Sequence, residues 1–230
     1  REYQRQLWDD IDPDAEATDG SEQHHHVFGS IGVIFVDQRG GRSFSTSVSR
    51  PYLGEEQWRQ LNEDLLSAGG AFEEVTALIV VTSVPLVYLG PNVTMVAVHA
   101  KDDLADHWSF GPNAKEQLEF IRLLRRWKQT RPDRRELLVI GGDVHVGGQT
   151  EIRHRDELIF KQLVTSPMTN RPPRFWELKG LQAALEQDQN LGDSYRFEHS
   201  GFRNRRNYGI VIARGSALPP LLRGSLNYEP

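Results

Sequence analysis

Residues 137–145 read Leu-Leu-Val-Ile-Gly-Gly-Asp-Val-His, an apolar run followed by two glycines and two polar residues. Four consecutive apolar residues are typical of a β-strand that is covered on both faces. The glycine pair ends the strand, because glycine adopts positive φ angles and lets other groups approach closely. Asp143 and His145 follow two positions apart, and an extended segment would send both side chains to the same side. We therefore predict a carboxylate beside an imidazole at the tip of a buried strand.

Both the position and the side chains suit a ligand site. In open α/β sheets, ligands bind just beyond the carboxyl ends of the strands. Carboxylate and imidazole donors together suit zinc, iron or manganese, and calcium accepts the oxygen donors. The same residues are also compatible with a simple Asx-type turn that carries an exposed histidine. The pattern alone leaves both readings open.

Strands and helices alternate along the rest of the chain. Apolar, β-branched runs predict three further strands, over residues 30–36, 75–82 and 158–164. Helical spacing of apolar residues predicts helices over residues 55–67 and 114–129, with Asn113 as the N-cap of the second. This order of elements predicts an α/β fold with a mixed sheet.

Weaker patterns cover the remaining segments. Residues 91–100 are predicted to form a strand or a covered loop, and residues 151–155 a charged connection. Residues 171–230 are predicted to close the domain with a helix over 178–187 and a β-hairpin of residues 195–203 and 207–214. Residues 9–26 are acidic, poor in apolar side chains and predicted to be a loop.

A histidine triplet, His24 to His26, ends that acidic loop. Histidines can bind metal ions, but consecutive residues of a strand point in different directions and rarely chelate one ion together. We interpret the triplet as a solvated loop edge.

Asp37 and Arg39 follow the first predicted strand and share a face, and Arg42 lies close behind. The planar guanidinium of arginine suits bidentate contact with a phosphate, so Arg39 is a candidate phosphate ligand. A structural ion pair between Arg39 and Asp37 is the alternative.

His107 lies in a loop over residues 102–110 that also carries Trp108. Its imidazole is a candidate general acid, because the ordinary pKa of histidine is close to neutrality. The alternative is a surface turn with Trp108 packed inward.

Composition restricts the possible functions. The 230 residues can form one sizeable core, and a net charge of −5 gives no electrostatic footprint for nucleic acid. The absence of cysteine excludes disulfides, thiolate ligands and a cysteine nucleophile. No run is long enough to span a membrane and no signal-peptide pattern opens the chain, so we expect a soluble protein. Because the first residue is Arg rather than Met, the chain is compatible with a piece of a longer protein, and no compartment is predicted.

The motif over residues 141–148, Gly-Gly-Asp-Val-His-Val-Gly-Gly, resembles the last metal-binding motif of the PhoD-like (alkaline phosphatase D) metallophosphatases. Further elements of that family are matched in order between about residue 1 and about residue 170. They are Asp37-Gln38-Arg39, Gln57-Trp58, Ser83-Val84-Pro85 and Asp106-His107-Trp108.

The resemblance implies a metallophosphatase-type αββα sandwich, of which this chain is the C-terminal half. It also implies hydrolysis of phosphate esters at two metal ions (iron, manganese, zinc or calcium), with Asp143 on one metal and His145 on the other. Arg39 would neutralise charge on the phosphoryl oxygens and His107 would act as the acid. Asp37 and Arg42 would line the substrate site through the match to the family's Asp-x-Arg element. Ser166 would line it because the family has a similar Thr-Ser stretch.

This chain departs from the family in one respect. No Asp-x-His and no Gly-Asn-His precedes Asp37, and these motifs supply most metal ligands in the family. Asp143 and His145 alone would give each metal too few bonds. We therefore expect the other ligands in a missing N-terminal half of the same domain, upstream of this chain. A metal-free pseudo-phosphatase that serves as a binding or scaffold domain is the alternative.

Overall fold

A computed structural model describes residues 22–40, 52–97, 107–166, 168–187, 189–217 and 219–229. The helices in these ranges are α1 (Glu55–Leu66), α2 (Pro91–Ala97), α3 (Gly111–Gln129) and α4 (Phe175–Gln187). The strands are β1 (His24–Phe28), β2 (Ile31–Phe35), β3 (Ala77–Val81), β4 (Glu136–Gly141), β5 (Gly147–His154), β6 (Glu157–Val164), β7 (Asn190–Gly192), β8 (Tyr195–Arg203), β9 (Asn207–Arg214) and β10 (Leu221–Tyr228).

Eight of these strands form one mixed sheet in the order β1-β2-β3-β4-β6-β5-β8-β7. The four central strands β2, β3, β4 and β6 run parallel, so their carboxyl ends meet at one edge of the sheet. The outer strands pair antiparallel. β9 and β10 form a separate antiparallel hairpin. This is the mixed α/β architecture that the sequence predicts.

The main core lies between the sheet and helices α1 and α3. Both helices are amphipathic and turn their apolar side toward the strands. Trp127 of α3 is fully buried, and its indole N–H donates to the Phe72 carbonyl. The strand side chains in this core include Ile34, Val36, Leu78, Val80, Leu137 and Val139.

The β9–β10 hairpin packs against the opposite face of the sheet. A Cβ at Gly224 would lie 3.2 Å from Leu138 Cδ2 and 3.3 Å from Leu163 Cδ2, so the absence of a side chain lets β10 approach closely. Leu138 and Leu163 are accordingly buried. β4 is therefore covered on both faces, as its unbroken apolar run predicts.

The predicted strands over 30–36, 75–82, 137–140 and 158–164 are confirmed, and so are the helices over 55–67, 114–129 and 178–187. The proposed N-cap is wrong, because α3 begins at Gly111 with Phe110 as its N-cap. Proline at the second helical position favours this earlier start, since proline lacks the N–H that a first turn leaves unpaired. The Asn113 amide instead donates to the His107 carbonyl.

Two segments were predicted wrongly. Residues 91–97 form α2, not a strand or loop, and residues 151–154 belong to strand β5, not to a charged connection. In β5 the buried Thr150 and Ile152 alternate with Glu151 and Arg153, which pair with each other at 2.6 Å. The charged side chains are the outward half of an alternating strand.

The predicted hairpin of residues 195–203 and 207–214 is also wrong. β8 pairs with β5 and β7 in the large sheet, whereas β9 pairs with β10. The short connection between β8 and β9 is typical of a hairpin, but β5 was not recognised as a strand, so β8 lacked its true partner in the prediction.

The histidine triplet is not a loop edge. His24 to His26 begin the edge strand β1, which pairs antiparallel with β2. The rest of the predicted acidic loop, up to residue 21, lies outside the described residues. In the described ranges no helix is both long and apolar enough to cross a membrane.

Candidate metal and phosphate site

The loops that follow β2, β3, β4 and β6 lie along one edge of the sheet and are joined by hydrogen bonds. The Thr82 amide donates to the Ile140 carbonyl at 2.8 Å, and the Thr165 amide donates to the Gly141 carbonyl at 2.9 Å. The Gly142 amide donates to the Ser83 carbonyl at 3.3 Å. The segment that carries Asp143 and His145 is therefore fixed on both sides by neighbouring loops.

Gly141 allows the loop after β3 to come against the end of β4. A Cβ at Gly141 would lie 2.6 Å from Pro85 Cα and 2.9 Å from Pro85 N. Real side chains do not tolerate such distances from backbone, so this position requires glycine. The close approach inferred from the glycine pair is confirmed at Gly141, whereas a Cβ at Gly142 would meet only ordinary contacts.

Asp143 and His145 are both exposed and both have left-handed backbone, with φ angles of 70° and 58°. The prediction that they lie in an extended segment is therefore wrong, and strand alternation does not orient them. A tight turn does so, in which the Val144 amide donates to the Gly142 carbonyl at 2.9 Å. Aspartate and histidine tolerate this backbone region better than most residues. Left-handed backbone at these two residues, at the carboxyl end of a buried strand, supports a hypothesis of function.

The loop after β6 holds His145 at two points. The His145 amide donates to Ser166 Oγ at 3.2 Å. Its Nε2 lies 3.4 Å from Asn170 Nδ2, and an amide nitrogen can only donate, so Nε2 accepts. In this arrangement the neutral imidazole carries its proton on Nδ1. Ser166 thus holds the backbone of the histidine, and a metal ion bound at Nε2 would replace the Asn170 contact.

Asn207, at the start of β9, supports this loop from below. Its Nδ2 donates to the Ser166 carbonyl at 2.9 Å and to the Arg205 carbonyl at 3.0 Å, and its Oδ1 accepts from the Ser166 amide at 3.1 Å. The side chain is buried against Gly147, where a Cβ would lie 2.8 Å from Asn207 Cγ. The sequence analysis did not find Asn207, because no local pattern connects residues 166 and 207.

The loop after β2 is shaped by Asp37 rather than by an ion pair. Asp37 Oδ1 accepts from the amides of Arg39 and Gly40, both at 2.9 Å, and Oδ2 accepts from the Glu22 amide at 3.0 Å. The structure shows no ion pair between the side chains of Asp37 and Arg39, both of which are described. Arg39 is exposed at the edge of the sheet that carries Asp143.

Gln38 is a second residue that the sequence analysis missed. It is 2% exposed, and its Oε1 accepts from Ser83 Oγ and from the Val84 amide, both at 2.8 Å. The buried amide ties the loop after β2 to the loop after β3. A glutamine between Asp37 and Arg39 gives no sign of this role in sequence, because its partners lie more than 40 residues away.

The two remaining predicted site residues are Arg42 and His107. Arg42 falls outside the described residues. His107 is 6% exposed and stacks on Tyr88, with ring centroids 5.5 Å apart, and the neighbouring Trp108 is packed inward. Burial of this kind favours a packing role for His107, and its proposed acid role stays a prediction.

An apolar cluster underlies the turn at Asp143. Val144 packs against a cluster of buried residues that includes Tyr88, Val146 and Val164. His199 lies beside this cluster, where its Nε2 donates to the Tyr88 carbonyl at 2.6 Å and its Nδ1 accepts from Thr150 Oγ1 at 2.8 Å. Burial lowers the pKa of His199 to about 4, so its ring is neutral at physiological pH. The support beneath the turn is therefore uncharged.

The donor set at this edge suits a metal but is incomplete. Asp143 offers carboxylate oxygens and His145 an imidazole nitrogen, which together suit iron, manganese or zinc. In the described part of the chain, no three His, Asp or Glu side chains come together in a group that could hold a metal ion. A stable metal centre at this site requires further ligands in addition to Asp143 and His145.

Comparison with known proteins supports the fold. No family model and no curated protein matches this chain. A solved structure described as "Structure of PhoD" is similar, with a TM-score of 0.56 and 11% sequence identity over 90% of this chain. The match covers 40% of the other chain, so the present chain spans about two fifths of that protein's length. At this identity the comparison shows that the chain has a PhoD-like fold.

Proposed function

We propose that this chain is part of a metal-dependent phosphate-ester hydrolase, in which Asp143 and His145 each supply a ligand to one of two metal ions. The position of these two side chains carries the proposal. Both are exposed in left-handed backbone at the carboxyl end of a strand buried on both faces. Ligands bind at this edge of open α/β sheets, and the likeness to PhoD adds support.

Two metals bound here would neutralise charge on the phosphoryl group and lower the pKa of an attacking water. The remaining metal ligands would come from other parts of the protein. On this chain, Arg39 would bind phosphoryl oxygens through its guanidinium. Ser166 would keep His145 in place through its oxygen while its own hydroxyl hydrogen stays available to a phosphate.

Asp37 would act indirectly in this scheme. Three backbone amides occupy its carboxylate, so it fixes the turn that presents Arg39 rather than contacting the substrate itself. This assignment refines the predicted substrate-binding role of Asp37.

The decisive experiment compares Asp143→Asn with Asp156→Asn in the complete protein from which this chain comes. Asp156 is a matched control, because it is exposed, has a φ of 71° and lies in the β5–β6 turn at the other end of the sheet. Asparagine keeps the left-handed backbone in both cases. Hydrolysis of an aryl phosphate ester is measured with added manganese, iron, zinc or calcium.

We expect Asp143→Asn to lower kcat/KM by roughly 100-fold or more, because loss of a ligand costs at least as much as loss of its supporting contacts. Asp156→Asn should leave kcat/KM within about twofold, since exposed charges away from a site contribute little. Equal effects of the two substitutions would contradict the proposal.

A binding or scaffold domain without metals is the competing function. It is favoured if the complete protein hydrolyses no phosphate ester and if Asp143→Asn leaves its metal content unchanged. The 230-residue chain alone should show little turnover. Substantial hydrolysis by this chain, lost on Asp143→Ala, would show that the chain holds the metals without ligands from other parts of the protein.

A further inference from the structure

The edge strand β1 places two histidines on one face of the sheet. His24 pairs with Phe35 and His26 with Val33, so the alternation of the strand puts both rings on the Phe35 side. His25 lies on the other face, where its Nδ1 is 3.2 Å from Asp64 Oδ2 and its ring contacts Phe72. His24 and His26 therefore lie together on one face of the sheet, and His25 lies alone on the other.

The two rings are separated by a distance that suits a shared ion. The ring centroids of His24 and His26 are 5.7 Å apart and the planes meet at 75°. Two imidazoles bound to one ion at nitrogen–metal distances of about 2.0–2.1 Å have centroids roughly 5–6 Å apart. The His24 ring also stacks on Phe35, with centroids 4.6 Å apart, which restricts its rotation.

His24 already has the hydrogen-bonded state of a typical metal ligand. Its Nδ1 lies 3.0 Å from the Glu22 carbonyl oxygen. A carbonyl oxygen only accepts, so Nδ1 carries the proton and Nε2 keeps its lone pair. Histidines that bind metals commonly donate their other ring N–H to a carbonyl or carboxylate in this way, which fixes the tautomer.

We propose that His24 and His26 chelate one transition-metal ion at this exposed edge of the sheet. Imidazole pairs favour Cu²⁺, Ni²⁺ and Zn²⁺, with Cu²⁺ bound most tightly of the divalent ions. All residues of β1 are exposed, so water can fill the remaining coordination positions.

This site is separate from the one at Asp143 and His145. β1 and β4 are three strand spacings apart in the sheet, which is roughly 14 Å. One ion cannot bridge that distance. The proposal thus does not depend on the phosphatase activity.

The test uses three equal substitutions, His24→Gln, His25→Gln and His26→Gln, in the 230-residue chain. Each carries His145→Asn as well, so that metal bound at the Asp143–His145 site does not contribute. Cu²⁺ and Ni²⁺ binding is measured by calorimetric titration near pH 7.5, where free imidazoles are neutral. Circular dichroism and a thermal unfolding curve check that each variant folds.

His24→Gln and His26→Gln should each lower the affinity for Cu²⁺ and Ni²⁺ about 100-fold, because the second imidazole binds intramolecularly at high effective concentration. His25→Gln should leave the affinity within about threefold. The Cu²⁺ electron paramagnetic resonance spectrum should show two coordinated nitrogens in the chain with His145→Asn alone. It should show one after the further substitution His24→Gln or His26→Gln.

Two results would overturn the proposal. If His25→Gln weakens binding as much as the other two substitutions, the triplet binds as a flexible tag and the strand geometry has no role. If none of the three changes the affinity, the metal binds elsewhere.

Discussion

Asn207 positions the candidate site through its side-chain amide, although it is not one of the proposed metal or phosphate ligands. It bonds to both the amide and the carbonyl of Ser166, and Ser166 in turn accepts from the His145 amide. An asparagine amide suits this task because it offers one acceptor and two donors on a short, rigid side chain. The geometry of His145 therefore depends on a residue from the far hairpin.

Asn207→Ala should lower the free energy of unfolding by about 1–3 kcal/mol, since it leaves the half-buried amide and carbonyl of Ser166 without the Asn207 side chain as partner. The midpoint of urea denaturation measures this change. Asn204→Ala is the matched control, because within the described ranges the Asn204 side chain makes one hydrogen bond, to the Pro173 carbonyl at 3.1 Å. It should cost about 1 kcal/mol or less. Equal losses would contradict the role given to Asn207.

Among the elements, β4 and the loop after it depend on one glycine. The carboxyl end of β4 passes so close to Pro85 that Gly141 has no room for a methyl group. The same glycine precedes the turn of Asp143 and His145. Packing at this point thus couples the strand to the candidate site.

Gly141→Ala should destabilise the fold by about 1–3 kcal/mol, because a Cβ 2.6 Å from Pro85 Cα forces a backbone shift. Thermal unfolding measures the loss. Gly180→Ala is the control: Gly180 lies inside α4 with nothing within 4 Å of an added Cβ. Helix propensity should make that variant more stable by about 0.5–1 kcal/mol. If Gly141→Ala leaves the stability unchanged, the end of β4 can shift to accommodate the methyl group, and the required glycine is contradicted.

For the whole molecule, a buried neutral histidine makes stability depend on pH. His199 connects β8 to Thr150 of β5 and to the Tyr88 carbonyl. Burial lowers its pKa from the ordinary 6.5 to about 4. Its contribution is therefore complete above pH 6.5 and is lost as the pH falls from 6.5 to about 4, because the unfolded chain takes up the proton first.

Between pH 7 and pH 4 this residue should account for a loss of up to about 3 kcal/mol in the free energy of unfolding. Urea denaturation at several pH values measures it. His199→Gln keeps a donor and an acceptor without a titrating group, so the loss between pH 6.5 and 4.5 should become smaller. The stabilisation from carboxylates with lowered pKa, such as Glu151 beside Arg153, is complete above pH 4.5 and is lost only at lower pH. An unchanged pH profile in His199→Gln would contradict this account.

The success of each sequence prediction depended on how local the underlying pattern is. Elements with strong local periodicity were predicted correctly, as α1, α3 and the four parallel strands show. β5 was missed because its charged side chains conceal an alternation, and the pairing of β8 then failed with it. At the site, Asp143 and His145 were found from local pattern, but their left-handed backbone was not.

The buried central strand, the glycine that ends it and the carboxylate and imidazole that follow are predictable from the sequence, because these features depend on neighbours along the chain. Which loops meet at the carboxyl ends of the strands depends instead on tertiary contacts. Gln38, Ser166 and Asn207 gain their roles from partners more than 20 residues away, and such contacts leave no local periodicity. Likewise, only the pairing of β1 with β2 separates the faces of a histidine triplet that the sequence presents as uniform.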